Sequence, residues 1–382
     1  MVHKYLGSIR LTWIKKYRGA VLPVFLVLLL LLPSACSHRF PQITVQDLPA
    51  YEALFQRTEG WTGGDGLFSV RLDADRTLWL FGDTFIGEVK GGRHINPLLV
   101  NNTLAVQKGL EPDKADIRFF YRSAPDGKPE AFMQPADGVG WFWPYHGLRT
   151  PDGLFLFQVQ VDRAEGPPGF DFKPLSTWLI HVANPDDPPD RWRLSGNKIP
   201  WSREYRLFGS SVLTVGEDCL IYGTEEQSIS GFPEKRIFLA KVPVSRLKDF
   251  SQWRFFSRGE WVPNPEGAEM LLGNMANEFS VSFHRALNRY ILVYTQDSLS
   301  EYIVLRSAQE PWGPWSEPVR VYRCPEAAWD PRVFCYAAKG HPELSQSPEE
   351  LIVTYTTNST DIDLIESDTR FYHPRFLRIG LQ

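Results

Sequence analysis

The chain has 382 residues, 43% of them hydrophobic and 14% aromatic, enough to bury a large core. Its formal charge is −4 and its Lys/Arg cluster stands only at the extreme N-terminus, which argues against a nucleic-acid-binding face. Glycine at 29, proline at 30 and tryptophan at 13 residues fit a turn-rich all-β chain better than a helical one.

The N-terminus reads as a targeting segment. Lys4, Arg10, Lys15, Lys16 and Arg18 form a basic region, and Val21 to Leu32 is an apolar run of signal-peptide length. It ends in Leu32-Pro33-Ser34-Ala35-Cys36, small residues before a cysteine as in a bacterial lipobox, although Pro33 departs from the usual aliphatic residue. Residues 1–36 are therefore expected to direct export, with Cys36 lipidated and the mature protein tethered to a membrane of the cell envelope. An ordinary signal peptide or an uncleaved anchor is the alternative. Export permits disulfides, and Cys324 and Cys335 are close enough in sequence to pair, leaving Cys219 odd; buried free thiols are the other outcome.

Residues 37–54 read as a linker with one strand, Gln42 to Val45, that could pair late in the fold. From residue 55 to 382 one pattern recurs. A strand rich in small or polar residues leads through a tight turn to a strongly apolar strand with a polar end, and a third alternating strand follows. The apolar strands are 77–83, 154–160, 219–225, 290–296 and 351–357. A fourth strand is expected near each of Trp192, Trp253 and Trp315. The repeats begin near residues 65, 145, 209, 278 and 336, a longer interval than the ~40–50 residues of common propeller repeats. Four strands per repeat and five repeats predict a five-bladed β-propeller, the last blade completed by the strand near Val45.

In such a ring the starts of the first strands and the ends of the second strands share one mouth. That places Asp65, between glycines, beside Asp83 at the close of the first hairpin, with Glu278 facing them and Glu225 or Glu226 as rival acids. Cleaving a glycosidic bond needs two carboxyl groups, one to protonate the leaving oxygen and one to attack or to activate water. Asp65 is the expected base or nucleophile, Asp83 an orienting carboxylate, and Glu278 (or Glu225/Glu226) the general acid. Trp143, Tyr145 and His146 lie in an aromatic run suited to stacking on sugars. Asn101, Asn102, Asn277, Lys339, His341 and Arg375 complete the candidate substrate contacts. No metal-ligand spacing is present and no cofactor is called for; a structural Ca²⁺ in the channel stays open.

Thr62-Gly63-Gly64-Asp65-Gly66, Leu80-Phe81-Gly82-Asp83-Thr84-Phe85-Ile86-Gly87, Asn101-Asn102-Thr103 and Tyr372-His373-Pro374-Arg375-Phe376 resemble the bacterial family called domain of unknown function 4185. That family is similar to five-bladed glycoside hydrolases, some classed as family 183 endo-D-arabinanases. The resemblance implies a propeller that cleaves an arabinan, another furanoside, or a different envelope or environmental polysaccharide, with Asp65 at the first-blade base or nucleophile position. The expected partners are a polysaccharide or oligosaccharide and, through Cys36, a membrane. A monomer is expected, with a non-catalytic glycan-binding lipoprotein as the rival function.

Overall fold

A computed structural model describes residues 42–166, 169–229 and 232–382. The export segment and Cys36 lie outside the described residues. Among them, no helix is long and apolar enough to cross a membrane.

The architecture is all-β, as the composition predicts. Five antiparallel sheets follow one another in chain order, four of them with four strands and the third with five. The apolar runs singled out in the sequence all become second strands: Arg76–Phe81, Gly153–Arg163, Asp218–Ile229, Arg289–Thr295 and Glu350–Ser359. A strand flanked on both sides within its sheet and packed on both faces should be a continuous apolar run rather than an alternating one. Gly153–Arg163 meets this condition, with its first nine residues buried. Fourth strands stand near all three outer tryptophans, as expected, but begin just after them instead of containing them. Trp192 and Trp253 stand just before the fourth strands Leu194–Lys198 and Arg254–Ser257, donating their indole N–H groups to the carbonyls of Asp187 and Leu247. They pin the incoming loops.

Ile43–Asp47 pairs antiparallel with Pro374–Leu381, Ile43 opposite Leu381, and becomes the fourth strand of the last sheet. The first strands pack side by side in sequence: Phe68–Arg71, Trp141–Thr150, Arg206–Val215, Phe279–His284 and Val333–Gly340. The last returns to the first through Ser69 and His341, whose Oγ and Nδ1 are 2.5 Å apart. The opening hairpin is more elaborate than its sequence suggests. Glu59–Gly64 is a separate strand pairing with Thr84–Lys90, and with Arg93–Val100 these form an inserted three-stranded sheet.

Three of the five first strands carry a β-bulge, at Pro144/Gly147, Phe208/Ser211 and Tyr336/Lys339. A bulge adds a residue and re-aims the side chains that follow. Gly209 makes one of these possible, with φ +86° and Phe157 so close that a Cβ would lie 2.2 Å from the ring. Gly209→Ala combines overpacking with backbone strain and should cost at least about 2 kcal/mol. A urea midpoint equal to that of the wild type would contradict this packing.

Candidate active site

The first hairpin brings its two aspartates together through the backbone. Asp65 N–H donates to the Asp83 carbonyl at 3.2 Å, and Gly82 N–H donates to the Asp65 carbonyl at 2.9 Å. A side chain on Gly82 would put its Cβ 2.4 Å from Asp65 Oδ1, so only glycine leaves that carboxyl its place. Asp65 Oδ2 accepts hydrogen bonds from the Tyr336 and Tyr372 hydroxyls at 2.6 and 3.1 Å. Asp83 Oδ1 accepts from Trp143 Nε1 at 2.8 Å and from Asn101 Nδ2 at 3.2 Å. Glu278, at the start of the fourth sheet, pairs with Lys339 from the fifth, Oε1 to Nζ 2.9 Å. The Lys339 side chain is only 2% exposed and its ammonium lies 4.3 Å from the centre of the Phe68 ring.

Three carboxyl groups thus share one neighbourhood with one ammonium. Burial pushes the Asp65 carboxyl up to about 8, reinforced by the negative charges of Asp83 and Glu278, while the two tyrosine hydroxyls pull the other way. Burial likewise raises Asp83, to about 6, against the stabilising bonds from Trp143 and Asn101. Like charges this close cannot all ionise in a dry site, so the cluster retains a proton near neutral pH, chiefly on Asp65. Burial lowers the Lys339 ammonium from its usual value, and the Glu278 carboxylate opposes that shift. Tyr145, almost fully buried, is raised by burial and by the charge of Glu278. Asn277, next to Glu278, accepts from the Thr224 hydroxyl at 2.9 Å.

Several other candidates have different employment. Glu225 is buried and both its oxygens are taken, one by Arg206 and one by Gln227 Nε2 at 2.9 Å. Arg206 also grips Glu266 with two N–H groups at 2.9 and 3.0 Å. Glu225 therefore completes an ion-pair network of the third sheet. Glu226 is exposed and pairs in register with Lys235, apart from the carboxyl cluster. Asn102 is wholly buried; its amide donates to the carbonyls of Met133 and Phe142 and accepts from Met133 N–H, bracing the intervening loop. Arg375 donates to Glu52 at 3.0 Å and lies 3.1 Å from Glu326, tying the short helix Pro49–Ala53 to the last strand. Asn102 and Arg375 are thus structural groups, not substrate contacts.

The two candidate histidines are internal fasteners. His146 Nδ1 accepts from Val212 N–H at 2.9 Å, so Nε2 holds the proton and donates to the Ser69 carbonyl at 3.1 Å. Burial lowers its pKa to about 4. His341, 1% exposed, bridges Ser69 and the Thr354 hydroxyl, the latter at 2.6 Å. Neither ring has a nitrogen to spare. Cys324 and Cys335 are free buried thiols in contact with each other, not a disulfide, and Cys219 is also buried and free. Among the described residues no group of three His, Cys, Asp or Glu side chains could hold a metal ion.

Tyr336 and Tyr372 are the functional-site residues that the sequence reading missed. Tyr336 opens a bulge at the start of a first strand, and Tyr372 has φ +60°, a conformation rare for a bulky residue. Tyr372 also stands in the Tyr372-His373-Pro374 motif, which was the available signal.

The family model described as "Domain of unknown function (DUF5005)" matches residues 49–380. The chain belongs to this family. The match does not show the resemblance to domain of unknown function 4185. No curated protein matches the chain. Among solved structures, a putative hydrolase from Bacteroides ovatus is 18% identical, with 90% of this chain and 92% of that one covered and a TM-score of 0.72. At that identity the likeness bears on the fold alone. A thermostable family-43 glycoside hydrolase (14% identity, 85% and 91% covered, TM-score 0.44) and an exo-β-1,3-galactanase-like protein from Bifidobacterium bifidum (12%, 85% and 94%, TM-score 0.46) are more distant.

Proposed function

We propose that the five sheets are the blades of one propeller and that the protein is a glycoside hydrolase acting on a polysaccharide outside the cytoplasm, with Cys36 as its membrane tether. The observation that carries this reading is the carboxyl cluster: Asp65, Asp83 and Glu278 converge from two sheets around one buried lysine. Glycoside cleavage needs one carboxyl that keeps its proton at working pH and one that does not. Asp65, raised most, is the proton holder and serves as general acid, its orientation fixed by Tyr336 and Tyr372. Glu278, beside the Lys339 ammonium, is the base or nucleophile. Asp83 keeps the proton on Asp65 by its charge and positions Trp143 and Asn101 at the rim. These roles exchange the sequence expectation for Asp65 and Glu278, because burial and neighbouring negative charge favour a protonated Asp65. An arabinan or other furanoside is the first substrate to try.

The test is a hydrolysis screen over arabinan, galactan, xylan and glucan with wild type beside Asp65→Asn and Glu278→Gln. Reducing sugar from the wild type, cut by about 10²–10⁴-fold in each variant, is expected. Equal product from all three proteins would remove the assignment. No product from any, with binding retained, would leave a glycan-binding protein.

A further inference from the structure

Beside the carboxyl cluster lies a second concavity that the catalytic reading does not use. It runs between the inserted strand Arg93–Val100 and the segment from Pro129 to Trp141, and Leu99, Asn101, Glu130, Gln134 and Trp141 line it. Two of these side chains connect directly to the site. Asn101 donates to Asp83. Trp141 meets Trp143 edge-to-face at 6.0 Å, and Trp143 donates to the same Asp83 oxygen. The groove and the carboxyls are therefore two parts of one surface.

The Trp141 indole N–H is buried and has no hydrogen-bond partner. A buried donor left unsatisfied is costly; Trp61 and Trp315 have the same deficit, but of these three only Trp141 lines this groove. Leu99, in the lining of the groove, is an apolar side chain 50% exposed beside the polar Asn101, Glu130 and Gln134. A pyranose or furanose ring has the matching chemistry, with C–H faces for aromatic and aliphatic surfaces and hydroxyls for amides, carboxylates and an indole N–H. No Lys or Arg lines the groove, and its one charged residue is Glu130. An anionic polymer would find no counter-charge there.

We infer that this groove is a saccharide subsite for units next to the bond cleaved, and that it selects a neutral glycan chain over a polyuronate. The inference rests on the hydrolase reading for its substrate, and its test separates the two. Affinity electrophoresis of Asp65→Asn protein is run in gels containing arabinan, galactan, xylan, glucan or polygalacturonate. At least one neutral polymer should retard the protein. Adding Trp141→Ala should weaken that retardation about tenfold, and adding Trp141→Phe, which keeps a ring but removes the N–H, should weaken it about threefold. Trp141→Phe, which keeps the packed ring, should leave the melting temperature near that of the parent, whereas Trp141→Ala also loses its packing on Trp143 and the core, so the Phe variant carries the comparison.

No retardation by any neutral polymer, retardation by polygalacturonate, or equal retardation with and without Trp141 would each overturn the subsite. A Trp141-dependent retardation with no cleavage by wild type would sink the hydrolase reading and leave the groove standing. Cleavage by wild type whose rate on long and short substrates is equally indifferent to Trp141→Ala would sink the groove alone.

Discussion

Asp65→Asn should lose hydrolytic activity while making the protein more stable in alkaline solution. The folded Asp65 carboxyl is raised from 3.8 to about 8, first by burial and then by Asp83. Below pH 3.8 both the folded and unfolded chains hold this proton, and pH has no leverage through it. Between about pH 4 and 8 the folded state keeps a proton that the unfolded chain has released. Stability therefore falls as pH rises through that window and levels off above it. Asparagine accepts the same tyrosine hydroxyls through its carbonyl and has no charge to bury. The melting temperature of Asp65→Asn should thus match the wild type near pH 4, exceed it by a margin that widens to about pH 8 and stay above it at pH 9, by roughly 2–4 °C for each kcal/mol relieved. In the wild type, activity should fall away above about pH 8 as the acid loses its proton. A margin that narrows towards pH 9 would show that Asp65 is ionised in the folded protein.

Lys339→Met should be among the most damaging single changes. It removes the one cation of the carboxyl cluster and leaves Glu278 unpaired. Breaking a buried pair from one side costs about 3–5 kcal/mol, and the low end applies because the Glu278 side chain retains 24% exposure. Adding Glu278→Gln to Lys339→Met removes the stranded charge and should recover most of that loss without recovering activity. The double-mutant cycle reads the coupling directly. If the two changes add without interaction in urea unfolding, the pair does not hold the cluster together.

Much of the fold was legible because a strand buried on both faces leaves a short, continuous apolar run, and turn residues before it mark it as a strand and not a helix. Leu154 to Gln160 and Leu351 to Thr357 are such runs, and each led to its hairpin partner through the turn before it. The inserted sheet was not legible. Thr84 to Val100 has only short apolar runs broken by Gly91-Gly92 and Pro97, and the Gly63-Gly64 pair reads as a turn although it ends a strand. The convergence of Asp65, Asp83 and Glu278 follows from where second strands end and first strands begin, which the repeat made readable. The roles of the histidines, Asn102 and Arg375 were not, because they are settled by partners from other segments of the chain, Met133 for Asn102, Val212 for His146, Ser69 for His341 and Glu52 for Arg375. Glu225 misled for a related reason: its position suits a mouth, but Arg206 opposite it on the neighbouring strand takes the carboxylate. Nothing in the local sequence separates a solvent-facing acid from one already claimed.

The pairing of Ile43–Asp47 with the final strand has a consequence for how the chain reaches its native state. Its five residues sit opposite Leu377 to Leu381, at the other end of the sequence. Closing a loop of that length costs on the order of 5 kcal/mol in chain entropy. The return comes from one short ladder and from Ile43 and Val45 packing on the last sheet's core. The most remote pairing in the sequence thus rests on a single five-residue ladder, so it should form late and open early. The outer edge of the last strand is then a latch. While open it offers unpaired backbone to any neighbouring chain, and once closed it leaves the first and last ordered segments held side by side.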